Sequence, residues 1–238
     1  MIFSYFEEKA KEKLLPFIKD LKKHAYPGMA WEFNKSLFKN MYLLPKKGLT
    51  WGAEGEYDNS YTHLWEGDWV VDVGANIGLF TVLAGKAVGE SGRVFAFEPL
   101  EELRKELLVH VALNELKNVV VVPKALGDKN TKVTMDGIEV KKEGEGTIEC
   151  TTLDTWAKEI NLERFDFLKM DVEGFERKVL TGGMEALRAF RPRMGICIYH
   201  LFDDPEVLKS LIQAIDIEYQ IWLNSTKKKY LVGRKIKR

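Results

Sequence analysis

The spacing of hydrophobic positions changes several times along this chain, and each change marks a different kind of element. Near the start, Phe3, Phe6, Ala10, Leu14, Phe17, Ile18 and Leu21 recur at helical spacing, which predicts an amphipathic helix kinked or split at Pro16. Aromatics then crowd the stretch from Trp31 through Trp51 to Trp65 without a clear period, which reads as an irregular cap whose rings fill a core. From Trp69 onward, short unbroken apolar runs alternate with segments of helical period. The runs predict strands over 70–73, 94–97, 119–122, 165–170 and 194–199, and helices over 79–88, 101–113, 152–160, 175–180 and 205–214. Such alternation predicts an α/β fold with a doubly wound, mostly parallel sheet. Within 133–151, Asp136-Gly137 signals a hairpin that extends the sheet edge or forms a flap. Residues 217–223 and 229–232 read as an antiparallel pair closing the sheet. The division expected is an N-terminal cap over 1–66 on the substrate side and a core over 67–238.

Composition narrows the class. A chain of 238 residues suits one α/β domain with an attached cap. Lys plus Arg equals Asp plus Glu at 36 each, so no overall field favours nucleic acid or an anionic membrane. The basic residues of 227–229 and 234–238 read as a solvated turn and tail. Only Cys150 and Cys197 occur, which excludes a disulfide framework or a thiolate zinc site. The N-terminus lacks the apolar stretch of a signal peptide, and no window is long and apolar enough to span a membrane. A cytoplasmic protein is expected, and no feature of the pattern sets an oligomeric state.

The chemistry concentrates where the first strand meets its helix. Asp72-Val-Gly74-Ala-Asn76-Ile-Gly78 reads as a strand end, a tight turn and the start of a helix, and the second strand ends on Glu98. In parallel sheets, ligands sit outside the carboxyl ends of strands. The glycines are read as removing side chains where a ligand approaches, and Glu98 as accepting hydrogen bonds from a ribose diol. A dinucleotide fingerprint would need glycines where Asn76 and Leu79 stand. The carboxylate of Asp72 would also repel a pyrophosphate, whereas a cation would suit it. S-adenosylmethionine (SAM) carries an adenosine, a sulfonium and an ammonium but no phosphate. The expected cofactor is therefore SAM, with Asp72 toward its ammonium end and Gly74, Asn76, Gly78 and Glu98 in its binding site.

From residue 67 to 200, several motifs in order resemble the FkbM-type family of class I SAM-dependent methyltransferases. They are the segment from Asp72 to Thr81, Phe97-Glu98-Pro99, Ala125-Leu-Gly-Asp128, Thr152-Leu-Asp154, and the stretch from Asp166 to Glu176 that contains Asp171-Val-Glu173-Gly174. The resemblance implies a seven-stranded sheet with an antiparallel last strand. It also implies O-methylation of a sugar, glycan or polyketide. Tyr199 stands where the family often has an acid. Methyltransferases of base amino groups carry an Asn or Asp before Pro-Pro and an aromatic at the fourth strand. Asp171-Val-Glu173-Gly174 does not resemble that, which speaks against nucleic acid as acceptor.

An alcohol acceptor needs a partner for its proton. Asp171, Glu173 and His200, at two neighbouring strand ends, are the catalytic candidates, and His200 titrates in the useful range. Glu176 reads as an acid complementing a helix N-terminus, and Asp154 as a cap and packing residue. Asp171 and Glu173, two apart in extended chain, would point the same way and with Asp203 or Asp204 could ligate magnesium. The reading taken is metal-free, with these carboxylates holding a polyhydroxylated acceptor. The function expected is methylation of a hydroxyl on a sugar, glycan or small natural product. N-methylation or a non-catalytic SAM-binding module are the alternatives.

Overall fold

The structure is a computed structural model that describes residues 62–144, 146–224 and 229–233. The amphipathic pattern of residues 3–21, most of the aromatic stretch and most of the C-terminal basic residues lie outside these. The elements run β1 (Trp69–Val73), α1 (Leu79–Val88), β2 (Arg93–Phe97), α2 (Glu101–Leu113), β3 (Val119–Val122), β4 (Ala125–Gly127), β5 (Thr131–Asp136), β6 (Glu139–Glu143), β7 (Ile148–Thr152), α3 (Leu153–Glu159), β8 (Phe167–Met170), α4 (Glu176–Thr181), α5 (Met184–Phe190), β9 (Arg193–Cys197), α6 (Asp204–Ile215), β10 (Gln220–Asn224) and β11 (Lys229–Gly233).

Among the described residues the main sheet has seven strands in the order β10-β11-β9-β8-β1-β2-β3. Pairs from β9 to β3 are parallel, and β11 is antiparallel to both β9 and β10. Alternation along the strands divides the core. Val71, Val73, Phe95, Phe97, Leu168 and Met170 pack with Trp156, Leu180, Leu187, Leu208 and Ile212 from α3 to α6. Val70, Val94, Ala96 and Phe167 face the other way, toward Phe80 and Ala84 of α1 and Leu107 of α2. Helices therefore cover both faces, as a doubly wound sheet requires. No helix among the described residues is long and apolar enough to cross a membrane.

Three differences from the sequence pattern have physical causes. The Asp136-Gly137 hairpin forms, but it belongs to a separate four-stranded sheet of order β4-β7-β5-β6, where β4 pairs in parallel with β7. Thr152 caps α3 rather than joining it, since its hydroxyl accepts from Thr155 N at 3.0 Å. Helix α5 had no predicted counterpart. It has no side-chain cap of its own at Gly183, and the carboxylate of Asp154 supplies one from a distant segment, accepting from Glu185 N at 3.1 Å and Ala186 N at 2.8 Å.

Candidate active site

Where β1 ends, the backbone stays tied to its neighbours. Gly74 N and Ala75 N both donate to Phe97 O, at 3.2 and 2.9 Å. Gly74, Asn76 and Gly78 all have positive φ, at 76°, 52° and 90°, and the Asn76 side chain supports its own turn by accepting from Ile77 N at 2.7 Å. A Cβ on Gly74 would lie 1.9 Å from the carbonyl oxygen of Asp171, and one on Gly78 would lie 2.3 Å from Leu107 Cδ1. The two glycines make room for the strand end of β8 and for helix α2. Gly74 still lines the cleft described below, and Gly78 does not.

Asp72 sits below this turn. The alternation that buries Val70 under α1 buries Asp72 on the same face, where it is fully inaccessible and outside the cleft lining. Thr81 Oγ1 donates to it at 2.5 Å. Lys169, its cross-strand neighbour on β8, lies 3.2 Å away as an ion pair. The same ammonium donates to Gly74 O at 2.8 Å. Asp72 thus holds the turn from beneath through Lys169 and stands outside the cleft lining. Lys169 escaped the sequence reading, although a lysine inside the buried run Phe167-Leu-Lys-Met170 signals a partner, because charged side chains are rarely buried unpaired.

A cleft of about 250 Å³ opens over the carboxyl ends of β1, β2 and β8. Its lining includes Gly74, Asn76, Glu98, Asp171 and Glu173, and Met135, Ile138 and Val140 of the hairpin form an apolar wall. The hairpin therefore acts as a flap over the site rather than an edge of the main sheet. Glu98 is 4% exposed, and its oxygens accept from Asn76 N and Leu100 N, each at 2.8 Å. Burial raises its pKa, and the two backbone hydrogen bonds only partly offset that. A carboxylate has about four lone-pair sites, so a diol still finds acceptors there. Lys124 is engaged by Glu149 and Glu159 and Lys169 by Asp72. Glu98, Asp171 and Glu173 give the lining an acidic character, which fits a sulfonium and an ammonium.

Beyond the cleft, the structure brings Asp171, Glu173 and His200 together as expected, but by a different route. Strand β8 ends at Met170, and the carboxylates converge because Glu173 takes a left-handed conformation, with φ 52°, so the two-residue period of a strand does not apply. The His200 side chain is 7% exposed. Its Nε2 lies 3.5 Å from Asp171 Oδ1 and 3.3 Å from Glu173 Oε2, and its Nδ1 lies 2.9 Å from Glu176 Oε1. Neither ring nitrogen completes a hydrogen bond. Tyr199 lies tilted against the imidazole, ring centres 4.1 Å apart, and donates to Asp171 Oδ1 at 3.4 Å, with its phenol pKa pushed up by burial and the Asp171 charge. Asp203 and Asp204 do not join the cluster. Both are paired with Arg177, at 2.5 and 2.7 Å, and Asp204 is fully buried and also accepts from Leu201 N. They cannot complete the magnesium site considered from the sequence.

This sheet order, with a glycine turn after β1, an acid closing β2 and a cleft above both, defines a class I methyltransferase fold whose cosubstrate is SAM. The sequence profile of the methyltransferase FkbM domain matches residues 72–222, more than half of the chain, and the chain belongs to that family. It is 37% identical over 68 residues to the 2-O-methyltransferase NoeI of Sinorhizobium fredii (strain NBRC 101917 / NGR234), a match that spans 29% of this chain and 26% of that protein. The fold is similar to that of methyltransferase FkbM from Methylobacillus flagellatus KT, with a TM-score of 0.61 and 20% identity over 94% of this chain and 60% of that one. A putative rRNA-methylase from Clostridium thermocellum is similar in fold, with a TM-score of 0.50 and 16% identity over 71% of this chain and 86% of that one. The chain thus spans about a quarter of the named relative and 60% of the FkbM structure.

Proposed function

We propose that this chain methylates a hydroxyl group on a sugar, glycan or other small hydroxylated natural product, with His200 as the group that takes the hydroxyl proton. The observation that carries this reading is the buried imidazole whose free Nε2 faces two carboxylates, Asp171 and Glu173, that also line the cleft. An amine is already a nucleophile when neutral and needs no such assembly. A scaffold that only bound SAM would have no use for it either. The name of the partial relative, a 2-O-methyltransferase, agrees with an oxygen acceptor.

SAM, when bound, supplies an electrophilic methyl group whose bonding electrons leave with its sulfur. In this reading Glu98 holds the ribose diol, while Asp171 and Glu173 orient the acceptor by accepting from its neighbouring hydroxyls. As the acceptor oxygen forms its new bond to carbon, its proton passes to His200 Nε2. Positioning of the two reactants contributes much of the rate in such an in-line displacement. The reading is metal-free. Asp171, Glu176 and His200 each bring a ligand atom within 4.8 Å of the others, so the chelator experiment below is the one that separates a metal-free base from a metal-assisted one.

The test is SAM turnover with a panel of hydroxylated acceptors and matched amines, with and without a chelator. Turnover that depends on a hydroxylated acceptor and is unchanged by EDTA is the expected result. Turnover with amines alone would overturn the oxygen assignment. Loss with EDTA and rescue by magnesium would overturn the metal-free mechanism.

A further inference from the structure

Glu176 is the one member of the cluster whose burial the reaction has not yet explained. It opens α4, and an acid at that position complements the helix dipole just as well from the surface. Instead it is 0% exposed, although removing a carboxylate from water costs several kcal/mol. One oxygen, Oε1, accepts from Val172 N at 3.0 Å and lies 2.9 Å from His200 Nδ1. The carboxylate is therefore fixed to the turn that carries Asp171 and Glu173, and aimed at the far side of the imidazole from the cleft.

We infer that Glu176 is the positioning residue of the proposed reaction, fixing His200 in the tautomer that carries its hydrogen on Nδ1 and a lone pair on Nε2. The inference rests on His200 being the base. A neutral imidazole has a single N–H, and an ionised carboxylate can only accept. Carboxylates stand on both sides of this ring. If Asp171 and Glu173 drew the hydrogen to Nε2, the ring would point a donor at the acceptor hydroxyl and could take no proton from it. Proximity favours Nδ1: the Glu176 oxygen lies 2.9 Å from it, while the two acids at Nε2 lie at 3.3 and 3.5 Å, and neither side is yet an aligned hydrogen bond. When the hydroxyl proton arrives on Nε2, the resulting imidazolium lies between Glu176 on one side and Asp171 and Glu173 on the other. The remaining groups around the ring are the phenol of Tyr199 and, in the next helix, Asp203 and Asp204, which are neutralised by Arg177.

Glu176→Gln keeps the shape and removes the charge. The expected result is a kcat lower by about 10–100-fold, the usual effect of losing such an outer partner of a histidine, with acceptor KM and SAM affinity unchanged. The acid limb of the pH–rate profile should also move to lower pH, because a charge that favoured the imidazolium is gone. A merely structural role would lower the rate without moving that limb. Nitrogen-15 NMR of the native protein, at a pH where His200 is neutral, should show the hydrogen on Nδ1. A hydrogen on Nε2 overturns the inference even if the variant fails to fold. If His200→Ala abolishes transfer but Glu176→Gln leaves both rate and limb in place, this inference alone fails. If His200→Ala is fully active, the proposed base itself is wrong.

Discussion

His200→Ala is expected to bind SAM as the native chain does and, if His200 is the proposed base, to transfer methyl groups about 10²–10⁴-fold more slowly, the range that general base catalysis contributes. Calorimetry with SAM and a single-turnover assay together check this, and a loss below tenfold would contradict the assignment. In the proposed mechanism the same residue sets the pH dependence. Burial works against the imidazolium, but the close carboxylate of Glu176 and the charges of Glu173 and Asp171 outweigh it, so the His200 pKa is raised. A base must be neutral, so kcat/KM falls on the acid side through a limb above about 6.5, the ordinary histidine value. Stability runs the other way. The fold favours the protonated ring, so this contribution to stability is complete below about 6.5 and is lost as pH rises through the raised folded value. Urea unfolding across that window should show the native chain losing this increment and His200→Ala lacking it.

The second large effect is on folding. Gly74→Ala is expected to cost more than about 4 kcal/mol, the exceptional range for a single substitution. A left-handed φ of 76° costs an alanine about 1–2 kcal/mol. The larger share comes from a Cβ placed 1.9 Å from backbone, the Asp171 carbonyl oxygen, which no side-chain rotation can relieve. Gly137→Ala separates the two contributions. Its φ is 57°, yet a Cβ there meets nothing within 4 Å, so it pays for the backbone conformation alone. Thermal unfolding should place Gly137→Ala a few degrees below the native chain, and Gly74→Ala far lower or unfolded. Similar melting of the two variants would mean that the strand ends of β1 and β8 are not locked together as described.

The strands and helices that position the site were legible because their signals are local. The valine run of β3 and the apolar runs of β1 and β2 fix their own limits, and helices α1 and α2 fall where their periods place them. What was not legible depends on partners distant in sequence. The three-residue strand β4 exists only because it pairs with β7, and α5 is capped by Asp154 from α3, two helices earlier. At the site, the grouping of Asp171, Glu173 and His200 followed from two strand ends meeting at neighbouring positions in a parallel sheet. The roles of Asp72 and Glu176 did not follow. Each carboxylate was read from its place in its own element, as a ligand contact and as a helix-end acid. Each is in fact engaged by a side chain on another element, Lys169 for Asp72 and His200 for Glu176.

The most direct measurement is the atom on which the methyl group arrives. The native chain, supplied with SAM carrying a carbon-13 methyl and a hydroxylated acceptor that it turns over, should give a product whose labelled carbon has the NMR shift and couplings of a methyl ether. A label found on nitrogen, or SAM consumed with no labelled acceptor, would contradict it.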